Sequence, residues 1–144
     1  MASGNWLQEL TGQSKTIIGM VHRPALPGTP LYDETVGMPG IRDWVKRDLA
    51  ALQAGGIDAV MFCNENDRPY QLDSSFASVA AMADAVASVR DQLSVPFGVN
   101  VLWDPTATLA VAAATGAAFC REIFTGAFGG DFGIWQRSAG DAWR

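Results

Sequence analysis

A strand-then-helix alternation, repeated down the chain, constrains this sequence more than any other feature. Four short β-branched or apolar runs, Thr16–Val21, Ala59–Cys63, Phe97–Val101 and Phe119–Phe124, are separated by segments with helical periodicity. Strands that alternate with helices predict parallel βαβ units. The expected fold is therefore α/β, of the (β/α)8 TIM-barrel type. About four βα units are present in a single partial domain over residues 1–144, a half-barrel that ends at the start of a fourth helix. In such folds the side chains at the carboxyl ends of the strands converge on one mouth, where ligands bind.

The connecting segments fit that scheme. Residues 1–15 read as a polar lead-in to the first strand. After that strand, Pro24, Pro27 and Pro30 make a stiff loop, because proline fixes φ and removes a backbone donor. The first helix is expected over Ile41–Ala54, with Ile41, Trp44, Val45, Leu49 and Leu52 on one face and Gly55-Gly56 closing it. The second is expected over Ser75–Leu93, with Asp73 or Ser74 as cap and Phe76, Val79, Met82, Ala83, Val86, Val89 and Leu93 as its apolar stripe. Asp104-Pro105 supplies a cap and a first-turn proline for a short Ala-rich third helix that Gly116 ends. Residues 125–133 read as a glycine-rich loop, either a tight turn or a weak candidate for anion binding through bare N–H groups.

Composition narrows the function classes. A hydrophobic content of 49% excludes disorder, and a net charge of −5 without clustered Lys or Arg argues against a nucleic-acid partner. No apolar run reaches the roughly 18 unbroken residues of a membrane span, and no signal peptide is recognisable, so cytoplasm is the default location. Cys63 and Cys120 lie in separate strands and read as reduced thiols; with a single histidine, a zinc site is not expected. An open half-barrel exposes strand edges and an apolar interior. The chain is therefore expected to be a truncated product lacking its C-terminal half, or to close through a partner or homo-oligomer.

The candidate catalytic residues are His22, Glu65 and Glu122. His22 is the lone histidine and stands at the end of the first strand, where an imidazole titrating near neutral pH can move a proton or anchor a loop. Asn64, Glu65, Asn66 and Asp67 follow the second strand, more hydrogen-bonding groups than a turn requires. Glu65 and Glu122 could form a carboxylate pair, or hold a hard divalent metal with Asn oxygens. Asn100 is polar within an apolar strand, so it either bonds neighbouring elements or faces a ligand. Arg121 and Glu122 are expected on opposite faces of the fourth strand, with an internal ion-pair network as the alternative to a site. The candidate ligand-binding residues are Asn64, Asn66, Asn100, Thr125, Gly126 and Asp131.

Gly19-Met20-Val21-His22-Arg23-Pro24-Ala25-Leu26-Pro27-Gly28-Thr29-Pro30 resembles the opening motif of the BtpA family. Leu52–Ala59 followed by Asn64-Glu65-Asn66, Pro96–Leu102, and Arg121–Gly126 with Asp131-Phe132-Gly133 resemble its later motifs in order. Arg23 departs from the pattern, standing where the family carries an apolar residue, and Gly129-Gly130-Asp131 is a variant of the family's loop. The resemblance implies a ribulose-phosphate-binding type of TIM barrel. Family members are roughly twice as long as this chain, as an eight-unit barrel of about 250 residues requires, which puts strands five to eight outside it. Two functions are implied. One is binding or converting a small sugar or sugar-phosphate type ligand, as relatives linked to sugar utilisation suggest; the alternative is a non-enzymatic biogenesis or stability factor for a membrane protein complex of the photosystem I kind. Polar strand ends favour the first.

Overall fold

The computed structural model describes residues 5–130 and 133–144. The polar lead-in contains a short helix, α1 (Trp6–Thr11), that periodicity did not predict. Six residues are too few to form a helix by propensity. Its hold is tertiary, with the Trp6 ring 5.8 Å from Phe119. The strands β1 (Ile18–His22), β2 (Ala59–Cys63), β3 (Phe97–Asn100) and β4 (Phe119–Cys120) follow, all parallel, in the order β1-β2-β3-β4. Helices α2 (Gly37–Ala54), α3 (Phe76–Ala87) and α4 (Pro105–Thr115) connect them. This is the α/β alternation the sequence predicts, a four-stranded parallel sheet with connecting helices that is compatible with a partial βα barrel; the four strands do not close.

Register assigns every strand residue a face. Ile18 pairs with Ala59, His22 with Cys63, Val60 with Phe97, and Cys63 with Asn100. Side chains alternate along a strand. Val21, Val60, Phe62, Phe97 and Val99 therefore face the helices and join Ile41, Val45, Leu49, Met82 and Val86 in the core. Ile18, Met20, Met61 and Phe119 lie on the other face with His22, Cys63 and Asn100. Gly98 sits on that inner face because a Cβ there would lie 2.4 Å from the Phe119 ring. Gly98→Ala should cost about 1–3 kcal/mol in urea unfolding through overpacking. Adding Phe119→Leu should recover most of that loss; a Gly98→Ala variant as stable as wild type would show that the ring moves aside freely.

Several boundaries differ from the sequence reading. Helix α2 begins a turn early, and Trp44 lies at its exposed rim, not in the core. Ser75, not Asp73 or Ser74, caps α3 by accepting from the Ser78 N–H at 3.1 Å; Phe76 is 95% exposed, outside the stripe. The helix ends at Ala87, and a 3-10 turn over Arg90–Gln92 completes the segment. Asp104 caps α4 as expected, and Gly116 ends it with φ +74°.

The largest change lies after β4, which ends at Cys120 and not at Phe124. The glycine-rich stretch is not a loop: it forms an antiparallel hairpin of β5 (Gly126–Gly130) and β6 (Gly133–Arg137), followed by α5 (Ala139–Ala142). Packing drives it. Phe128 and Trp135 pair across the strands, their rings 5.6 Å apart, and Trp135 stacks on Trp103 at 5.4 Å with 14° between planes. Tyr70 extends the aromatic ladder at 5.8 Å from Trp103. Arg137 donates to the backbone oxygens of Leu72 and Trp103, fastening the hairpin over the loops that follow β2 and β3.

Candidate functional site

The strand register builds the site. His22, Cys63 and Asn100 are direct neighbours across three parallel strands and share a face at the carboxyl end of the sheet. Arg121 continues the row, its N–H donating to the Val99 oxygen at 3.3 Å. β1, β2 and β3 thus each contribute one polar or nucleophilic side chain at one level, and the residue just after β4 adds a fourth.

Asn100, only 1% exposed, is the hub. Its Oδ1 accepts from Arg121 Nη2 at 3.1 Å and from the Cys63 thiol at 3.4 Å. Its Nδ2 donates to Glu122 Oε2 at 2.8 Å and to the Arg121 backbone oxygen. A buried amide is costly without partners, and this one is bonded through both ends. Arg121 and Glu122 were expected on opposite faces of a strand. Because β4 stops at Cys120, the alternation lapses and both side chains reach Asn100. They form no direct ion pair. Among the described residues the Arg121 guanidinium pairs with no carboxylate, which leaves an exposed cation at the mouth.

Burial pushes the Glu122 carboxyl up, against the Ile123 N–H, Asn100 and Arg121, which stabilise its charge. Burial also pushes the Cys63 thiol up to about 11, so at neutral pH it is a protonated hydrogen-bond donor. Glu65 follows Cys63 by two residues. Its carboxylate, the His22 imidazole and the Cys63 sulfur bring their ligand atoms within 4.8 Å of one another. Glu65 therefore groups with His22 and Cys63, while Glu122 is engaged by Asn100.

Other candidates serve the frame. Asn64 accepts from the Leu102 N–H at 2.7 Å, and Asn66 donates to the Arg23 backbone oxygen at 2.6 Å, so each ties one strand-end loop to the next. Thr125 and Gly126 lie at the base of the hairpin, and among the described residues no hydrogen bond joins them to the row. Asp131 lies outside the described residues.

Arg23, the departure from the family pattern, is 1% exposed and reaches Asp67 through two contacts of 3.4 Å. Burial pulls its guanidinium down from the ordinary value, with Asp67 opposing. Asp67 also accepts from the Leu26 N–H at 2.8 Å, and Ser78 Oγ donates to the Pro27 oxygen at 3.1 Å. The proline loop is thus clamped to β2 and α3. Next to it lies a narrow cleft lined by Gly28, Asn64, Asp67, Tyr70 and Ser74. A second, apolar niche of about 190 Å³ lies between Trp103, Ile123, Phe128 and Trp135, beside Glu122 in sequence. From the sequence alone Cys63 reads as a reduced thiol, and Arg121 is divided between a site and an internal ion-pair network. The usable signal was that Cys63 stands two residues before Glu65 on the same face.

Comparison with known proteins agrees with the motifs. A family model described as the BtpA family matches residues 13–144. A putative sgc region protein, SgcQ, of Escherichia coli (strain K12) is 48% identical over 140 residues, 97% of this chain and 52% of its own length. An uncharacterized protein of Archaeoglobus fulgidus is 35% identical over 90% of this chain and 52% of its own. The photosystem I biogenesis protein BtpA of Synechocystis is 30% identical over 85% of this chain and 43% of its own. The chain spans about half the length of the curated relatives it matches. No solved structure matches it.

Proposed function

The chain belongs to the BtpA family, and on that premise we propose that it binds or converts a small sugar or sugar-phosphate type ligand at the carboxyl ends of its strands. The observation that carries this reading is the in-register row His22–Cys63–Asn100–Arg121, with Glu65 and Glu122 above it. Arg121, which pairs with no carboxylate among the described residues, supplies a cation for a phosphate, and the Glu122 carboxylate, oriented by the buried Asn100 amide, accepts from hydroxyls. The Trp103–Trp135 niche gives the apolar face of a sugar ring a surface to stack on. His22, Glu65 and Glu122 are the groups placed to move a proton. Asn64, Asn66, Thr125, Gly126 and Asp131 are assigned to shaping the rim around the ligand. A second copy, or strands supplied from outside this segment, would complete the mouth.

The name of the Synechocystis relative suggests another role, a biogenesis factor for a membrane complex. No described helix is long and apolar enough to cross a membrane, so such a role would operate through binding. A purely adhesive surface has no use for the strand-end row, which favours the ligand.

Calorimetric titration of a chelator-treated protein with a panel of pentose and hexose phosphates, ribulose phosphate first, tests the reading. Arg121→Ala should weaken binding of the responding sugar phosphate by roughly tenfold or more, the loss of one charge-assisted contact. His22→Ala should lower affinity or turnover while leaving the melting temperature nearly unchanged, because His22 is exposed. Binding indifferent to Arg121→Ala, or no response to any sugar phosphate, would count for the biogenesis reading.

A further inference from the structure

We propose that His22, Cys63 and Glu65 form a site for a thiophilic divalent cation, of the Zn²⁺ or Co²⁺ class, at the mouth of the partial barrel. The inference rests on the reading of the strand-end row as a binding site, but not on the identity of the organic ligand.

Three observations carry it. The imidazole nitrogen, the thiol sulfur and a carboxylate oxygen lie within 4.8 Å of one another. Ligand atoms 2.0–2.3 Å from a tetrahedral ion are separated from one another by roughly 3.3–3.8 Å, so rotamer adjustments suffice to close the set. Second, the three come from rigid positions. His22 and Cys63 are paired residues on adjacent strands, and Glu65 lies in the turn that the Asp67 N–H closes on the Asn64 oxygen at 3.0 Å. Third, the sulfur is held in place in the metal-free chain. The Cys63 thiol donates to Asn100 Oδ1 at 3.4 Å, an amide oxygen itself held by Arg121, and that bond is given up when the metal replaces the thiol proton.

The donor set decides the metal. One imidazole, one thiolate and one carboxylate suit zinc or cobalt and are poor ligands for Mg²⁺ or Ca²⁺, which take oxygen shells. Three protein ligands also match the pattern of catalytic zinc, in which the fourth position takes water or a ligand oxygen. Here that position faces the mouth, since His22 is exposed and Glu65 is half-buried. On binding, the Cys63 S–H breaks, its proton goes to solvent, and the sulfur lone pair forms the metal bond. A single histidine argues against a zinc finger but not against a one-histidine set of this kind.

Cobalt is the reporter. Addition of Co²⁺ to the chelator-stripped, reduced chain should produce visible bands of tetrahedral intensity and a near-ultraviolet thiolate charge-transfer band, saturating at one equivalent. Zn²⁺ should abolish both, whereas Mg²⁺ should not compete. Cys63→Ser should eliminate the charge-transfer band and Cys120→Ser should leave it intact. His22→Ala and Glu65→Gln should each weaken Co²⁺ binding by roughly 10- to 100-fold, at least the loss that an outer partner alone causes. His22 is exposed, so its variant tests the site even if Cys63→Ser fails to fold. A wild-type protein without the band, a band that follows Cys120, or affinity unchanged in His22→Ala would overturn the proposal. A chelated protein that binds a sugar phosphate but shows no cobalt band defeats the metal site and leaves the ligand reading standing. A cobalt band without sugar-phosphate binding does the reverse.

Discussion

Asp67→Ala should destabilise this fold by about 3–5 kcal/mol, the cost of stranding a buried charge. Asp67 is 5% exposed and the Arg23 guanidinium is 1% exposed. Even with burial pulling it down, a guanidinium does not escape by losing its proton. Removing the carboxylate would therefore leave a full positive charge among Met82, Pro24 and the proline loop, and would free the Leu26 N–H as well. The pair need not add much net stability, since desolvation offsets its attraction. Its effect is to lock the loop after β1 onto the loop after β2. Arg23→Met combined with Asp67→Asn should accordingly lose far less than Asp67→Ala, because the amide still accepts from Leu26 and methionine fills the arginine's volume. Chemical denaturation of Arg23→Met, Asp67→Asn and the double variant, with Asp67→Ala alongside, checks this through their coupling. Additive losses, or a loss under about 1 kcal/mol for Asp67→Ala, would mean that water reaches the guanidinium.

The parts of the fold legible in the sequence are those held by periodicity. The runs behind β1, β2 and β3 are apolar on both faces, as strands buried between layers must be; the stripe of α2 locates its body though not its first turn, and the Asp104-Pro105 cap locates α4. What was illegible depends on distant contacts. Helix α1 has no buried residue of its own and is recognisable only through Trp6 against Phe119. The hairpin was hidden because glycines suggested a loop, while the Phe128–Trp135 pairing and the Trp103 stack hold the strands together. The truncation of β4 decides where Glu122 points, and no local propensity encodes it.

The site shows the same division. His22 and Asn100 stood out because a polar residue ending an apolar run demands a partner. That Arg121 and Glu122 both serve Asn100, and that Glu65 groups with His22 and Cys63, are facts of register. Arg23 was visible as an anomaly in the proline motif; only the fold reveals that Asp67 is its reason.

Asn100→Asp should turn the hub into a pH-dependent weak point. In the wild type, burial already raises the Glu122 carboxyl. A carboxyl whose folded pKa exceeds its unfolded value contributes stability that is complete below the unfolded pKa and is lost as pH rises through the folded one. A second carboxyl at position 100 would sit in a more buried place, 2.8 Å from Glu122 across the former Nδ2 bond. Like charge and desolvation push its pKa up together, and Arg121 offsets only part of that. Near pH 4 the new group is protonated, donates one hydrogen bond to Glu122, and the variant should melt close to wild type. By pH 7 each unit of upward shift costs about 1.4 kcal/mol, so a shift of roughly three units predicts a deficit near 4 kcal/mol. Thermal melts of metal-free protein across that range measure it, with Asn100→Leu as the comparison. Asn100→Leu adds no charge and only removes the amide that stabilises the ionised Glu122, so its deficit should grow far less between pH 4 and pH 7 than that of Asn100→Asp. If the Asn100→Asp deficit grew no more steeply than that of Asn100→Leu, the amide would matter only for its shape and its hydrogen bonds, and the hub would not be the low-dielectric carboxylate environment that makes Glu122 a candidate proton carrier.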